Sequence, residues 1–253
     1  MSAARKNRRR YKKRGRFGFL YKMLAVIALT AAVLMGATVF FRVEEVAVHG
    51  NQRYTAQQVE ETSGVQQGDN MFHLNKFEVA RIIRRELPYI QAVNIRRSLP
   101  DTLVINVTES PAAACLAGGE REWLISAAGK VLEQVAPNSA SVMAVTGLEP
   151  VQPQPGYPLT VREDQQLRTQ GMIALLQVLE SRDMLGRVSA IDMKFEASIF
   201  MELDGRFRVK LPIAGDYGYL ISAMEKAIAT LDSYETGTLD LTVKDYTVIF
   251  SPA

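Results

Sequence analysis

Two histidines, one cysteine and two arginine pairs are the side chains from which catalytic chemistry would have to be built. Nucleophilic catalysis needs a thiol or hydroxyl with a base beside it. Proton transfer needs paired groups, and a metal needs several ligands at fixed spacing. His49 and His73 stand apart, each at the edge of an element, and read as capping or loop histidines. Cys115 lies in the apolar stretch Ala112–Ala117 with no histidine near it in sequence, and reads as a small buried hydrophobe. One cysteine excludes an intrachain disulfide and a Cys-rich zinc site. Arg84-Arg85 and Arg96-Arg97 fit a basic patch and a solvated face equally. The glycines sit at turns without phosphate-binding spacing, and Asn106-Val107-Thr108 meets only the short glycosylation pattern, within a strand. No catalytic residue, metal or cofactor is expected. The chemistry to look for is binding.

The charge is unevenly placed. Ten of the 30 Lys and Arg lie in residues 1–22, which hold no Asp or Glu, leaving 20 basic residues against 27 acidic ones in the rest. A nucleic-acid reading would rest on this tail alone, and none is expected; the tail reads as a topology signal attracted to anionic lipid. Met23–Phe41, MLAVIALTAAVLMGATVFF, is uncharged, with Thr30 and Thr38 its only polar residues. At about 1.5 Å per residue it spans roughly 28 Å, close to the apolar thickness of a bilayer. Phe17, Phe19 and Tyr21 suit the headgroup layer on the basic side, and Arg42 closes the other end. A signal peptide has a shorter apolar run and a small-residue cleavage site, whereas this one ends in Val39-Phe40-Phe41-Arg42. The expectation is a basic cytoplasmic tail at 1–22 and an uncleaved single-pass transmembrane helix at 23–41, with the remaining mass outside.

Two modules should follow, at 43–110 and 111–253. In the first, Val46 and Val48 share a strand face before Gly50-Asn51. Thr55 opens a helix as N-cap with Gln58 as capping-box partner and a Tyr54–Val59 staple. Asn75, Glu78 and a Leu74–Val79 staple repeat the device, with Phe77, Ala80, Ile83 and Leu87 as the core-facing stripe. Val93 and Ile95, then Leu103, Ile105 and Val107, mark two strands joined at Ser98-Leu99-Pro100-Asp101. In the second module Ala112–Ala117, Glu122–Ser126 and Val131–Val135 read as short strands, and residues 150–158 as a Pro-rich loop. Met172, Leu175, Leu176 and Leu179 mark one helix; Leu220, Met224, Ala227, Ile228 and Leu231 mark another after Gly215. Asp204-Gly205 predicts a hairpin whose second strand points Phe207, Val209 and Leu211 inward and Arg206, Arg208 and Lys210 to water. One or two strands end the chain, within 237–243 and 246–250. The fold class is α+β: a transmembrane helix, a β-α-α-β-β domain, then a mixed or antiparallel sheet with two helices.

The stretches VEEVAVHGNQRYTAQQV and NMFHLNKFEVARIIRRELPYIQAVNIRRSLPDTLVINVTESPAAA, directly after the apolar run, resemble the POTRA domain of the bacterial FtsQ/DivIB family. The Leu99–Leu103 turn with its Val107-Thr108-Glu109 exit is the most specific piece. Gly215, Lys226 and Leu239-Asp240-Leu241 resemble the family's second domain; Ser126-Ala127-Ala128 and Thr242 depart from its usual Asp and Arg. The resemblance implies a non-enzymatic scaffold of the divisome, in the cell membrane at the septum. It would link division proteins across the membrane and bind the FtsB/DivIC–FtsL pair, and with it septal peptidoglycan synthase components. The alternative is a membrane-anchored POTRA chaperone or an enzyme of envelope biogenesis. The favoured mode is β-augmentation on a final edge strand, with Thr242, Lys244, Tyr246, Val248 and Phe250 as the partner site and Glu225 as neighbour. Tyr246 and Phe250 are the aromatic anchors, unless they close the core instead.

Overall fold

The computed structural model describes residues 17–117, 121–243 and 247–253, without the side chains of residues 17, 34 and 37–39. The basic tail expected at 1–22 lies outside them up to residue 16, as do Lys244 and Tyr246 of the expected partner site. Helix α1 runs Phe17–Phe40, 24 residues and about 36 Å long. Its described apolar side chains stand exposed, among them Leu24, Val26, Ile27, Leu29 and Val33. Among the described residues no helix is long and apolar enough to cross a membrane; in α1 the unbroken run of described side chains is 18–33.

The next five elements are β1 (Glu45–His49), α2 (Ala56–Ser63), α3 (Lys76–Glu86), β2 (Ile90–Ser98) and β3 (Thr102–Glu109), with the strands in the order β1-β3-β2. Helix α2 starts where its capping box predicts. The Gln58 N–H donates to Thr55 Oγ1 at 3.1 Å, and Gln58 Oε1 accepts from the Thr55 N–H at 2.9 Å. Helix α3 differs on two counts. Asn75 Oδ1 accepts from the N–H groups of Phe77 and Glu78, but the Glu78 carboxylate turns to Arg81 and leaves the second box half-made. Phe77 is 86% exposed, so the buried stripe runs through Val79, Ile83 and Leu87 instead. An N-terminal position on a helix points its side chain back over the cap rather than into the sheet.

Beyond residue 110 come β4 (Ala114–Leu116), β5 (Glu122–Ile125), β6 (Val131–Val135), β7 (Met143–Thr146), α4 (Gln166–Ser181) and β8 (Val188–Asp192). They are followed by β9 (Ser198–Leu203), β10 (Phe207–Pro212), α5 (Tyr217–Ile228), β11 (Gly237–Asp240) and β12 (Ile249–Pro252). Among the described residues they form a nine-stranded sheet in the order β12-β11-β10-β9-β8-β7-β4-β5-β6. Pairs β4–β7, β7–β8 and β10–β11 are parallel and the other pairs with a stated register antiparallel, so the sheet is mixed. The hairpin at Asp204-Gly205 forms with both residues at positive φ, 54° and 63°, and with the Arg206 N–H closing on the Leu203 carbonyl at 3.0 Å.

One core lies between a sheet face and the two helices. Ile199, Met201 and Leu203 of β9, Phe207, Val209 and Leu211 of β10, and Leu239 of β11 pack with Met172, Leu175, Leu176 and Leu179 of α4 and Leu220, Ile221 and Met224 of α5. A smaller core joins Cys115, Leu124 and Leu132 to Tyr89, with Tyr54 against it. Cys115 is the buried hydrophobe expected. Its thiol faces the Glu122 carboxylate at 3.5 Å, and burial, then that carboxylate, push it up to about 11, away from nucleophilic use. The chain forms two compact units. One holds residues 1–46, 66–74 and 97–103; the other holds 47–65, 75–96 and 104–253.

Candidate partner-binding edge

Among the described residues, strand β12 is the last strand of the nine-stranded sheet, paired on one side only, with β11. An edge of this kind presents unpaired backbone groups. The register is Gly237↔Pro252, Thr238↔Ser251, Leu239↔Phe250 and Asp240↔Ile249. The Ala253 N–H donates inward to the Thr236 carbonyl at 3.0 Å. Backbone direction alternates along an antiparallel strand, so Ser251 and Ile249 also point inward. The outward groups are then those of Val248 and Phe250 and the carbonyl of Pro252, which has no N–H.

Side chains alternate the other way. Phe250 and Val248 are partly buried against the main core, and the Phe250 ring meets Phe207 edge-on at 6.3 Å. Gly237 makes room for it: a Cβ there would lie 2.9 Å from Phe250 Cε2. Ile249, 46% exposed, lies on the opposite face. The register aligns it in a cross-strand row with Asp240, Lys210 and Phe200, beside a second row of Ser251, Thr238, Arg208 and Glu202. This face is ordered by its own contacts: Lys210 Nζ reaches Asp240 Oδ2 at 2.9 Å, and Arg208 lies over the Phe200 ring at 4.8 Å. Burial pulls the Asp240 carboxyl up, but the Thr242 hydroxyl and N–H and the Lys210 ammonium together hold it below the usual carboxylate range.

The expected site residues are therefore only partly assembled. Phe250 carries outward backbone groups of β12, and Val248 lies one residue before the strand begins. Thr242 stands outside the strands; its N–H and hydroxyl donate to Asp240 Oδ1 at 2.8 and 2.6 Å, which ends β11. Glu225 faces the C-terminal end of α4, where the capping residue Arg182 meets its Oε2 through Nη1 at 2.9 Å while Nη2 holds the Gly218 carbonyl and Ser222 Oγ. Sequence reasoning placed Arg208 and Lys210 toward water but missed that Asp240 and Ile249 continue their face. The signal was there, because Arg208 and Lys210 alternate with apolar residues and Asp240 and Ile249 continue that face. Among the described residues no group of three or more His, Cys, Asp or Glu could hold a metal ion.

Residues 41–110 match the model of the POTRA domain, FtsQ-type. The chain is similar to the cell division protein FtsQ of Anaeromyxobacter sp. (strain K), 31% identical over 137 residues covering 51% of this chain and 46% of that one. It is 33% identical over 94 residues to the cell division protein DivIB of Clostridium acetobutylicum, covering 37% of each. It is also 28% identical over 116 residues to the cell division protein FtsQ of Corynebacterium glutamicum, covering 43% of this chain and 52% of that one. The chain spans about half or less of the length of these curated relatives.

Proposed function

Since the chain belongs to the FtsQ/DivIB family of cell division proteins, we propose that it is a non-enzymatic scaffold of the division machinery that binds the FtsB/DivIC–FtsL pair through β12. In this reading residues 1–22 are a cytoplasmic tail and 23–41, all but the last of them in α1, a single-pass anchor. The remaining residues lie outside the membrane at the septum, supporting septal peptidoglycan synthesis through the bound partners. The length of α1 and its exposed apolar side chains support the anchor.

The observation that carries the proposal is the edge position of β12 among the described residues. A partner strand pairs with the outward N–H and carbonyl groups at Val248 and Phe250, and its side chains extend the Ile249 face. Pro252 limits pairing toward the C-terminal end of β12, so the partner strand extends from Phe250 toward Val248 and beyond.

The test is co-purification and titration of the full chain in detergent with the co-expressed partner pair. Ile249→Glu puts a charge beside the added strand and leaves the core side of β12 intact, and should weaken binding at least about tenfold, a loss of roughly 1.4 kcal/mol. Phe250→Ala should weaken it too, by loosening the strand from Phe207. Unchanged affinity in both variants would place the partner elsewhere. In cells, depletion should give filaments without septa; normal division with a wall or secretion defect would favour a chaperone or enzyme of envelope biogenesis.

A further inference from the structure

Just past the end of α1 the chain is gripped from two sides. The Met71 N–H donates to the Phe41 carbonyl at 3.0 Å, the Val43 N–H to Asp69 at 2.8 Å and the Gly68 N–H to Val43 at 2.8 Å, while Arg42 bridges Asn70. On the other side the Glu44 N–H donates to the Asp101 carbonyl at 2.8 Å. The loop 66–74 and the turn 97–103 are thereby pinned to residues 41–44, in the same compact unit as α1.

Both carry apolar side chains turned outward. Phe72 is 52% exposed and Leu99 56%; Phe40, the last residue of α1, is 78% exposed. Phe72 is held there by its neighbours. Asn70 Oδ1 accepts from the Phe72 and His73 N–H groups, Met71 is fully buried, and Arg97 donates to the carbonyls of Met71 and Leu74 at 2.6 and 3.2 Å. The Phe72 ring packs edge-on against Phe41 at 5.3 Å, with the Arg97 guanidinium 5.5 Å from its centroid. A fixed loop that presents an aromatic ring and an arginine beside the end of an apolar helix has the composition favoured at the headgroup layer of a bilayer.

We infer that this loop and turn form a lipid-facing collar: Phe72 and Leu99 bed into the outer-leaflet headgroup and acyl boundary, with Arg42 and Arg97 at the level of the phosphates. The bilayer is the occupant because the collar continues directly from α1: Phe41, on which the Phe72 ring packs, is the residue that follows the helix's last, Phe40. The inference rests on α1 being the membrane anchor.

The experiment uses the full chain reconstituted into vesicles of phosphatidylethanolamine and phosphatidylglycerol. Trp123, the one native tryptophan, is replaced by Phe, and single reporters are placed by Phe72→Trp, Leu99→Trp, Leu29→Trp and Tyr234→Trp. Acyl-brominated lipid should quench Leu29→Trp, leave the exposed Tyr234→Trp untouched, and cause an intermediate loss of emission at Phe72→Trp and Leu99→Trp. Adding Arg97→Ala should reduce that loss at Phe72→Trp without changing Leu29→Trp. Quenching at Leu29→Trp but at neither collar reporter overturns the collar and leaves the anchor standing. No quenching at Leu29→Trp overturns the anchor reading and the collar with it. Collar reporters shielded from aqueous acrylamide but not quenched by brominated lipid also overturn the inference, since a protein then covers that surface.

Discussion

Lys130 shows how one side chain couples chemistry to folding. Its ammonium donates to the Ile90 carbonyl at 2.6 Å and the Arg84 carbonyl at 3.3 Å. Burial, and secondarily the Arg84 charge, pull its pKa down to about 8. An unfolded lysine titrates near 10.4, so between roughly pH 8 and 10 the unfolded chain binds more protons than the folded one. Stability should therefore rise across that window as the cost of the buried charge is relieved. Above about pH 10 the tyrosines raised by burial, Tyr54, Tyr89 and Tyr217, give the opposite slope. The melting temperature of the full chain in detergent should climb relative to Lys130→Met between about pH 8 and 10, and parallel curves would refute the assignment. None of this was legible in the sequence, where Gly129-Lys130 reads as a turn, because the carbonyls that Lys130 holds lie some forty residues away. Phe77 was misread for a local reason: it has the right spacing for the stripe, but as an early residue in α3 it points away from the core.

At the scale of elements, legibility followed how much information each element carries locally. Helices α2, α4 and α5 and the hairpin β9–β10 announce themselves through caps, stripes and strict alternation. Strands β7 and β8 do not. Met143–Thr146 offers four residues and Val188–Asp192 five, too few to distinguish a period of two from chance, yet both lie in the interior of the sheet and pair in parallel. Parallel pairing is non-local and leaves no turn signature. The edge position of β12 was unreadable for the same reason, since it depends on which strands lie beyond β11. The capping boxes give a direct comparison. Thr55 satisfies a backbone donor and is bonded in return by Gln58, so Thr55→Ala should cost about 1 kcal/mol, within roughly 0.5–2. Glu78 bonds only an exposed arginine, and Glu78→Ala should leave the denaturation midpoint near that of the wild type. Equal losses would mean that α3 depends on its second box after all.

Across the whole molecule, the sequence places a module border at residue 110, and the compact unit that holds the nine-stranded sheet takes in residues 47–65, 75–96 and 104–110 as well. The ties within that unit are specific. The Tyr89 hydroxyl donates to Glu133 Oε1 at 2.6 Å, Arg53 reaches the same oxygen at 3.4 Å and lies 3.8 Å over the Tyr89 ring, and Ser110 Oγ donates to Glu180. Burial first, then the Glu133 carboxylate, raise the Tyr89 phenol, which keeps it a neutral donor at physiological pH. A hydrogen bond to a charged acceptor of this kind contributes roughly 1.5–3 kcal/mol. Strands β2 and β6 should therefore open together. In native-state hydrogen exchange, Glu133→Ala should lower protection at residues 90–96 as well as at 131–135, whereas Tyr234→Ala, at an exposed loop position, should lower neither. Loss of protection confined to 131–135 would mean that the two modules fold independently and that the border at residue 110 is physical. If both segments respond, residues 90–96 and 131–135 belong to one cooperative unit, held together across the Tyr89–Glu133 hydrogen bond.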